Sequence, residues 1–370
     1  MKRMRKLISL SLAAALMLTF AMPSMTASAT SALPELKILC IGHSYAWDSM
    51  EYLNTIAKSQ GVDLTVGLAY RGNCSVKDHS IYFDENILYG TDGNKGFYLK
   101  YDRKNPDGNT IETMTLKEII KDEKWDIIIF QECLDYAGCY YEETSQYLPE
   151  LVEKVMGYSK NKHPELWWHQ LWALEKPEAV PLGEGAVFFG KYDNDQQKMY
   201  EMVKESAQKA AEELKGNVIP TGDAFQLVRS HKEFDTLNGG QTLMRDNVAN
   251  HSNDYGKYLA ALVWYQTLTK CKLDTSKLRF PRLTDEKLMN IIVSCSTEAV
   301  EGRGTVLKSV EEAFAEREAS RKADTSDDES GAESGSGEKN GGALPFIIAG
   351  AAVLLAVIAA VVVILIKKRS

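Results

Sequence analysis

Five short apolar runs recur along the chain, separated by segments of helical spacing. LKILCI at 36–41 and VDLTVG at 62–67 open the series, and WDIIIFQ at 125–131, with three consecutive isoleucines, is the strongest. Two more strands are predicted at 165–171 and 217–221. Helical spacing fills about 47–59, 116–123, 145–160 and 195–215, and returns at 254–269, 285–301 and 305–319. Strands that are apolar on both faces and alternate with helices predict a parallel sheet covered on both sides. The expectation is a three-layer α/β/α domain over residues 33–319 with a mainly parallel five-stranded sheet. The stretch 81–113, rich in Tyr, Asn, Gly and Asp, breaks the pattern and reads as an irregular loop or hairpin beside the sheet.

Two further apolar runs lie at the ends. Lys2, Arg3, Arg5 and Lys6 precede Leu7–Met22, and Ala27-Ser28-Ala29 follows, the three-part pattern of a signal peptide over 1–29. Phe346–Ile366 is uncharged and long enough to span a bilayer core of roughly 30 Å. Lys367, Lys368 and Arg369 follow at once and belong on the cytoplasmic side, as the tail 367–370. Between body and span, 320–343 is rich in Ser, Gly and acid, the composition of a disordered linker. These features predict a single-pass protein of the cell membrane with an extracellular N-terminal body.

Charge narrows the partners. The net charge is −8, and both chain ends carry basic clusters, so the body is more acidic than the total. That surface argues against nucleic acid. The six histidines form no HxxxH or HExxH pair and the six cysteines no zinc spacing, so no metal or cofactor is expected. Cys133 with Cys139, or Cys271 with Cys295, are conceivable bridges in an exported domain, although a body of this size does not need them.

Two segments carry candidate chemistry. Ser44, in Ile41-Gly42-His43-Ser44-Tyr45, follows the first strand and precedes a helix. In a parallel sheet that turn is where ligands bind, and a hydroxyl there is either a nucleophile beside free backbone N–H groups or a simple helix cap. His251 stands just before the helix at 254–269, with Asp246 five residues upstream as a candidate carboxylate. Trp167, Trp168 and Trp172 surround His169 and Gln170, and read either as core packing or as a stacking platform for sugars.

The order of these segments resembles the SGNH (GDSL-type) hydrolase superfamily. Within it, GHSYAWDSMEYL at 42–53 is similar to an uncharacterised bacterial branch whose opening motif runs G-N-S-F-S-x-D-x-x-x-Y-L. RGNCSVKDH at 71–79, IPTGDAFQLVRS at 219–230 and YGKYLAALVWYQTLT at 255–269 continue the likeness. The resemblance implies an SGNH/flavodoxin-like fold, Ser44 as nucleophile and His251 as base. It implies an oxyanion hole from the N–H groups of Ser44 and Gly72 and the Gln131 amide. Three departures stand out: His43 replaces the family's Asp or Asn, Asn73 replaces a second glycine, and the usual D-x-x-H is absent, because Val248 stands three before His251.

The function so implied is a cell-surface serine esterase, such as an O-deacetylase of a glycan, acting through a Ser44–His251–Asp246 triad. Its partners would be a small ester or acylated glycan, and the membrane through the C-terminal helix. Two alternatives remain: a surface carbohydrate-binding protein impaired in turnover, and an O-acyltransferase using the same triad.

Overall fold

The computed structural model describes residues 33–330 except 90–95, 102–109, 176–189, 246–247 and 281. The signal segment and the apolar run 346–366 lie outside the described residues, and no helix among those described is long and apolar enough to cross a membrane. In chain order the elements are β1 (Glu35–Gly42), α1 (Ser44–Met50), α2 (Leu53–Ser59), β2 (Asp63–Arg71), α3 (Val76–Asp84), β3 (Gly96–Tyr101), β4 (Thr110–Glu112) and α4 (Leu116–Asp122). There follow β5 (Ile127–Phe130), α5 (Ser145–Tyr158), β6 (Glu165–His169), α6 (Gln196–Glu213), β7 (Asn217–Ile219) and α7 (Thr221–Arg229). The last elements are β8 (Met244–Arg245), β9 (Val248–Ser252), α8 (Asp254–Thr269), α9 (Glu286–Gly302) and α10 (Val310–Ser330).

The main sheet has seven strands in the order β4-β3-β2-β1-β5-β6-β7. The five predicted strands are its parallel part, with β1 in the middle between β2 and β5. That order reverses at β1, which makes a crevice at the carboxyl ends of β1 and β5, the place where open parallel sheets bind ligands. The other two strands are a correction to the five-stranded expectation. The irregular stretch contributes β3, which pairs antiparallel with the free edge of β2, and β4, which pairs antiparallel with β3.

Side-chain alternation explains why the strands read as unbroken apolar runs. Ile38, Cys40, Ile127, Ile129 and Trp167 point into one core, which α1, α2 and α8 cover. Leu39, Ile41, Ile128, Phe130 and Trp168 point into the other, covered by α3, α4 and α5. Period-two alternation therefore sends both faces into protein. α8 is apolar nearly all round for the same reason: it packs against α1, α2, α7 and α9 at once. Asn253 caps its start, accepting from Gly256 N–H at 3.1 Å.

Trp167, Trp168 and Trp172 are at most 3 % exposed, so the sugar-platform reading is replaced by core packing. All six cysteines are free thiols, and neither conceivable bridge is formed. The helix predicted at 47–59 is two helices that begin earlier, at Ser44. The last helix starts at Val310 rather than 305 and continues to Ser330, into the segment read as linker. A second compact unit begins at Arg321, and its described part is helical.

Candidate active site

β1 ends at Gly42 and the chain turns directly into α1. His43, buried and extended in backbone, is the N-cap: its Nδ1 lies 3.5 Å from the Tyr45 N–H. Its Nε2–H donates to the Glu132 carbonyl oxygen at 2.9 Å. That pair of bonds needs one lone pair and one N–H, the neutral ring, and burial pushes the His43 pKa down to about 4. With the cap supplied by residue 43, Ser44 occupies the first helical position and is half-buried. Its hydroxyl is not consumed in capping, so the structural reading of this serine as a cap falls away.

Asp48 lies four residues after Ser44, one helical turn on and on the same face. One oxygen of its buried carboxylate, Oδ2, meets His251 Nδ1 at 3.1 Å, the Ser252 N–H at 2.9 Å and the Ser252 hydroxyl at 3.1 Å. β9 carries both residues and pairs antiparallel with β8. The carboxylate expected at Nδ1 was that of Asp246. Asp246 lies outside the described residues, and the place assigned to it at Nδ1 is taken by Asp48. An imidazole nitrogen makes one in-plane hydrogen bond, so the contact with Asp48 fixes Nδ1 as the N–H and leaves Nε2 with its lone pair. This residue was legible. The branch motif has an aspartate at this position, and an i, i+4 spacing from the serine places both on one helix face.

The expected oxyanion residues sit at neighbouring strand ends. Gly72 is exposed in the turn after β2, and a Cβ there would meet only the Tyr70 hydroxyl, at 3.7 Å, so no close packing requires a glycine. The residue that needs an unusual backbone is Asn73, at φ 49°, a region asparagine tolerates. That accounts for asparagine where the family has a second glycine. Asn73 Nδ2 also donates to Asp135 at 2.8 Å.

Gln131 follows β5 and is buried. Its Oε1 lies 2.8 Å from His169 Nδ1, and His169 Nε2 lies 3.1 Å from the Thr221 hydroxyl. Burial drives the His169 pKa down to about 3, so the ring is neutral; it donates to Gln131 and accepts from Thr221. The Gln131 amide is thereby oriented with its NH2 group turned away from His169. That nitrogen is buried and has no hydrogen-bond partner. A Cβ on Gly42 would come within 2.6 Å of it, so the amide rests against the backbone two residues before Ser44. An unmet buried donor costs about 1–3 kcal/mol, so this amide nitrogen stands out among the buried polar groups.

Glu132 was not singled out from the sequence. Its backbone carbonyl holds His43, while its carboxylate accepts from Val76 N–H at 3.1 Å, Cys133 N–H at 2.9 Å and the Thr144 hydroxyl at 2.9 Å. One buried residue thus ties the cap of α1 to the start of α3, just past the Gly72 turn. Burial raises its pKa to about 7. At the rim, Trp47 meets Tyr70 and Phe97 edge-on, with centroids 5.3 and 5.2 Å apart, and Tyr70 stacks on Phe97 at 4.3 Å. Among the described residues no cluster could hold a metal ion.

The buried histidines predict acid sensitivity. His43, His79 and His169 have pKa values lowered by burial to about 4, 3 and 3. The unfolded chain protonates them near pH ~6.5, so their contribution to stability is present above that value. It is lost as pH falls toward their folded values. Glu132 works the other way, losing its contribution as pH rises from about 4.5 through 7. Three groups outweigh one, so the thermal midpoint should fall on going from about pH 6.5 to 4. A melting series over that range checks it, and a rising midpoint would contradict it.

A crystal structure of a DUF4886 family protein from Bacteroides uniformis is similar at 25% identity and a TM-score of 0.62, over 75% of this chain and 99% of that one. A protein from Slackia heliotrinireducens, provisionally described as an SGNH hydrolase, aligns at 14% identity and a TM-score of 0.38, over 63% of this chain and 99% of that one. An acetyl xylan esterase aligns at 12% and 0.37, over 62% and 98%. Likeness at the last two scores does not speak to activity. No curated protein matches the chain. The family model described as a domain of unknown function, DUF4886, matches residues 37–296, and the chain belongs to that family.

Proposed function

We propose that the protein is a cell-surface serine esterase in which Ser44, His251 and Asp48 form the triad. The observation that carries the reading is the Asp48–His251 bond, made from the same helix face that bears Ser44. His251 Nε2 takes the Ser44 proton as Oγ attacks the ester carbonyl. The oxyanion is held by the Ser44 and Gly72 N–H groups and by the free Gln131 NH2. Collapse expels the alcohol, which receives the proton from His251. Water then attacks the acyl-Ser44 ester with His251 again as base, releasing the acid and the serine. Asp48 holds the imidazole and stabilises the imidazolium.

The substrate class is an acetylated glycan or other small ester. The signal segment 1–29 and the apolar run 346–366 support placement of the body outside the cell on a single-pass anchor. An O-acyltransferase would use the same residues and differ only in what attacks the acyl-enzyme. The binding-protein reading drew its support from the irregular Asp246–His251 spacing, and a carboxylate at Nδ1 from Asp48 removes that support.

The test is acetate release from p-nitrophenyl acetate and from acetylated xylan by the full chain. No release from either contradicts an esterase. Within the same assay, Gln131→Ala should lower kcat by about 10²–10³ with little change in KM, because the bond forms mainly in the transition state. A change confined to KM makes Gln131 a ground-state contact.

A further inference from the structure

A cavity of about 780 Å³ opens among α6, α7 and the end of α9, and neither Ser44 nor His251 lines it. Its volume is that of a small-ligand site, roughly 300–1,000 Å³. Glu175, Tyr200, Asp223, Gln226, Arg229 and Arg303 form much of its polar wall. Arg303 is already satisfied: its Nε donates to Asp223 at 2.7 Å, Nη1 to Gln208 at 3.1 Å and Nη2 reaches Gln170 at 3.4 Å. Tyr200 likewise donates to Asp223 at 3.0 Å.

Arg229 is different. Its Nη1 donates to the Ala173 carbonyl at 2.8 Å, but Nε and Nη2 are buried and have no partner. Glu175 shows the complementary deficit in the same wall. Its Oε2 accepts from the Thr242 hydroxyl at 2.5 Å, while Oε1 is buried and has no partner. The two side chains are near enough for the carboxylate to act on the guanidinium charge, yet they do not bond. One edge of a guanidinium and one carboxylate oxygen are thus left unmet, and hydrogen bonds to charged groups are among the strongest a protein makes.

A ligand that relieves both deficits must accept from Arg229 and donate to Glu175 over a short distance. A hydroxyl does both, and adjacent hydroxyls do so with the side-on fork of Nε and Nη2. Among the described residues the wall holds three basic and four acidic side chains, so a strongly charged ligand gains little net field from them. We propose that this cavity, bounded by Glu175 and Arg229, binds a neutral sugar unit. The site stands independently of esterase turnover. It is also separated from the triad by stacked rings: Tyr45, next to Ser44, stacks on Trp172 at 4.2 Å, and Trp172 on Phe225 at 4.5 Å, with the Arg229 guanidinium 5.7 Å from the Phe225 ring.

The test uses the full chain in detergent with Ser44→Ala, which removes turnover from the measurement. Titration calorimetry with xylotetraose, mannotetraose and chitotetraose should show binding of at least one. Glu175→Gln and Arg229→Met, each added to that background, should weaken it by at least about tenfold, the loss of one charged hydrogen bond. The same two changes in the Ser44 protein should leave p-nitrophenyl acetate hydrolysis unchanged. If Arg229→Met does not fold, the near-isosteric Glu175→Gln and the more exposed Gln226→Ala carry the test. Binding by none of the three sugars overturns the proposal, and so does binding that survives the Glu175 and Arg229 changes. Because binding is read without turnover, its failure is distinguishable from failure of the esterase reading.

Discussion

Asp48→Asn should lower kcat by about 10⁴ while Asp246→Asn leaves it near normal. The tautomer of His251 sets this outcome. His251 Nδ1 faces Asp48 Oδ2 at 3.1 Å, and the same oxygen takes two more donors from Ser252. A carboxylate accepts all three, which forces Nδ1 to be the N–H and Nε2 the base. An Asn that turned its NH2 toward Nδ1 would reverse the tautomer and put a proton where the lone pair must be. The Ser252 contacts make a stability loss possible too, so folding is read in parallel by thermal melting. A large kcat loss from Asp246→Asn, with Asp48→Asn near normal, would return the acid's role to Asp246.

Ser44→Ala should abolish ester turnover and leave the thermal midpoint within a few degrees of the wild type. Loss of a nucleophile costs several orders of magnitude in rate, as does loss of its base, so His251→Ala should match it. Loss of a helix cap would instead cost about 1 kcal/mol of stability. In this chain the cap is His43, so the serine can be removed without unfastening α1. The converse pattern, retained turnover with a lowered midpoint, would make Ser44 structural. His43→Ala is the informative partner, since it removes both the cap contact and the bond to the Glu132 carbonyl.

The parallel sheet was legible because its strands are buried on both faces and therefore unbroken in apolar character. LKILCI and DIIIF could not be surface strands. The edge hairpin was only half legible: β4 is short and exposed at Ile111, as an antiparallel edge allows, and although β3 buries Tyr98 and Leu99, nothing in its local pattern fixes pairing to β2. Ser44 and His251 could be read as candidates from their positions at a strand end and a helix start. Asp48 carries a signal in its i, i+4 spacing from Ser44, but its partnership with His251 does not show near that histidine in sequence, because the contact crosses 203 residues. Gln131 was named, but the fixing of its amide by His169 and Thr221 is a tertiary fact that no local pattern encodes. Glu132 was invisible for the same reason, since its partners come from three separate segments. The Glu175–Arg229 pair likewise appears only when β6's following segment and α7 are folded side by side.

The central claim is that Ser44 is an activated nucleophile, and covalent labelling tests it most directly. The full chain, treated with a labelled fluorophosphonate and digested, should carry the phosphonyl group on Ser44 as read by mass spectrometry. Ser44→Ala should carry none, and Asp48→Asn should label far more slowly than the wild type. Label absent from Ser44 in the folded protein, or equal labelling of the wild type and Asp48→Asn, would contradict the triad.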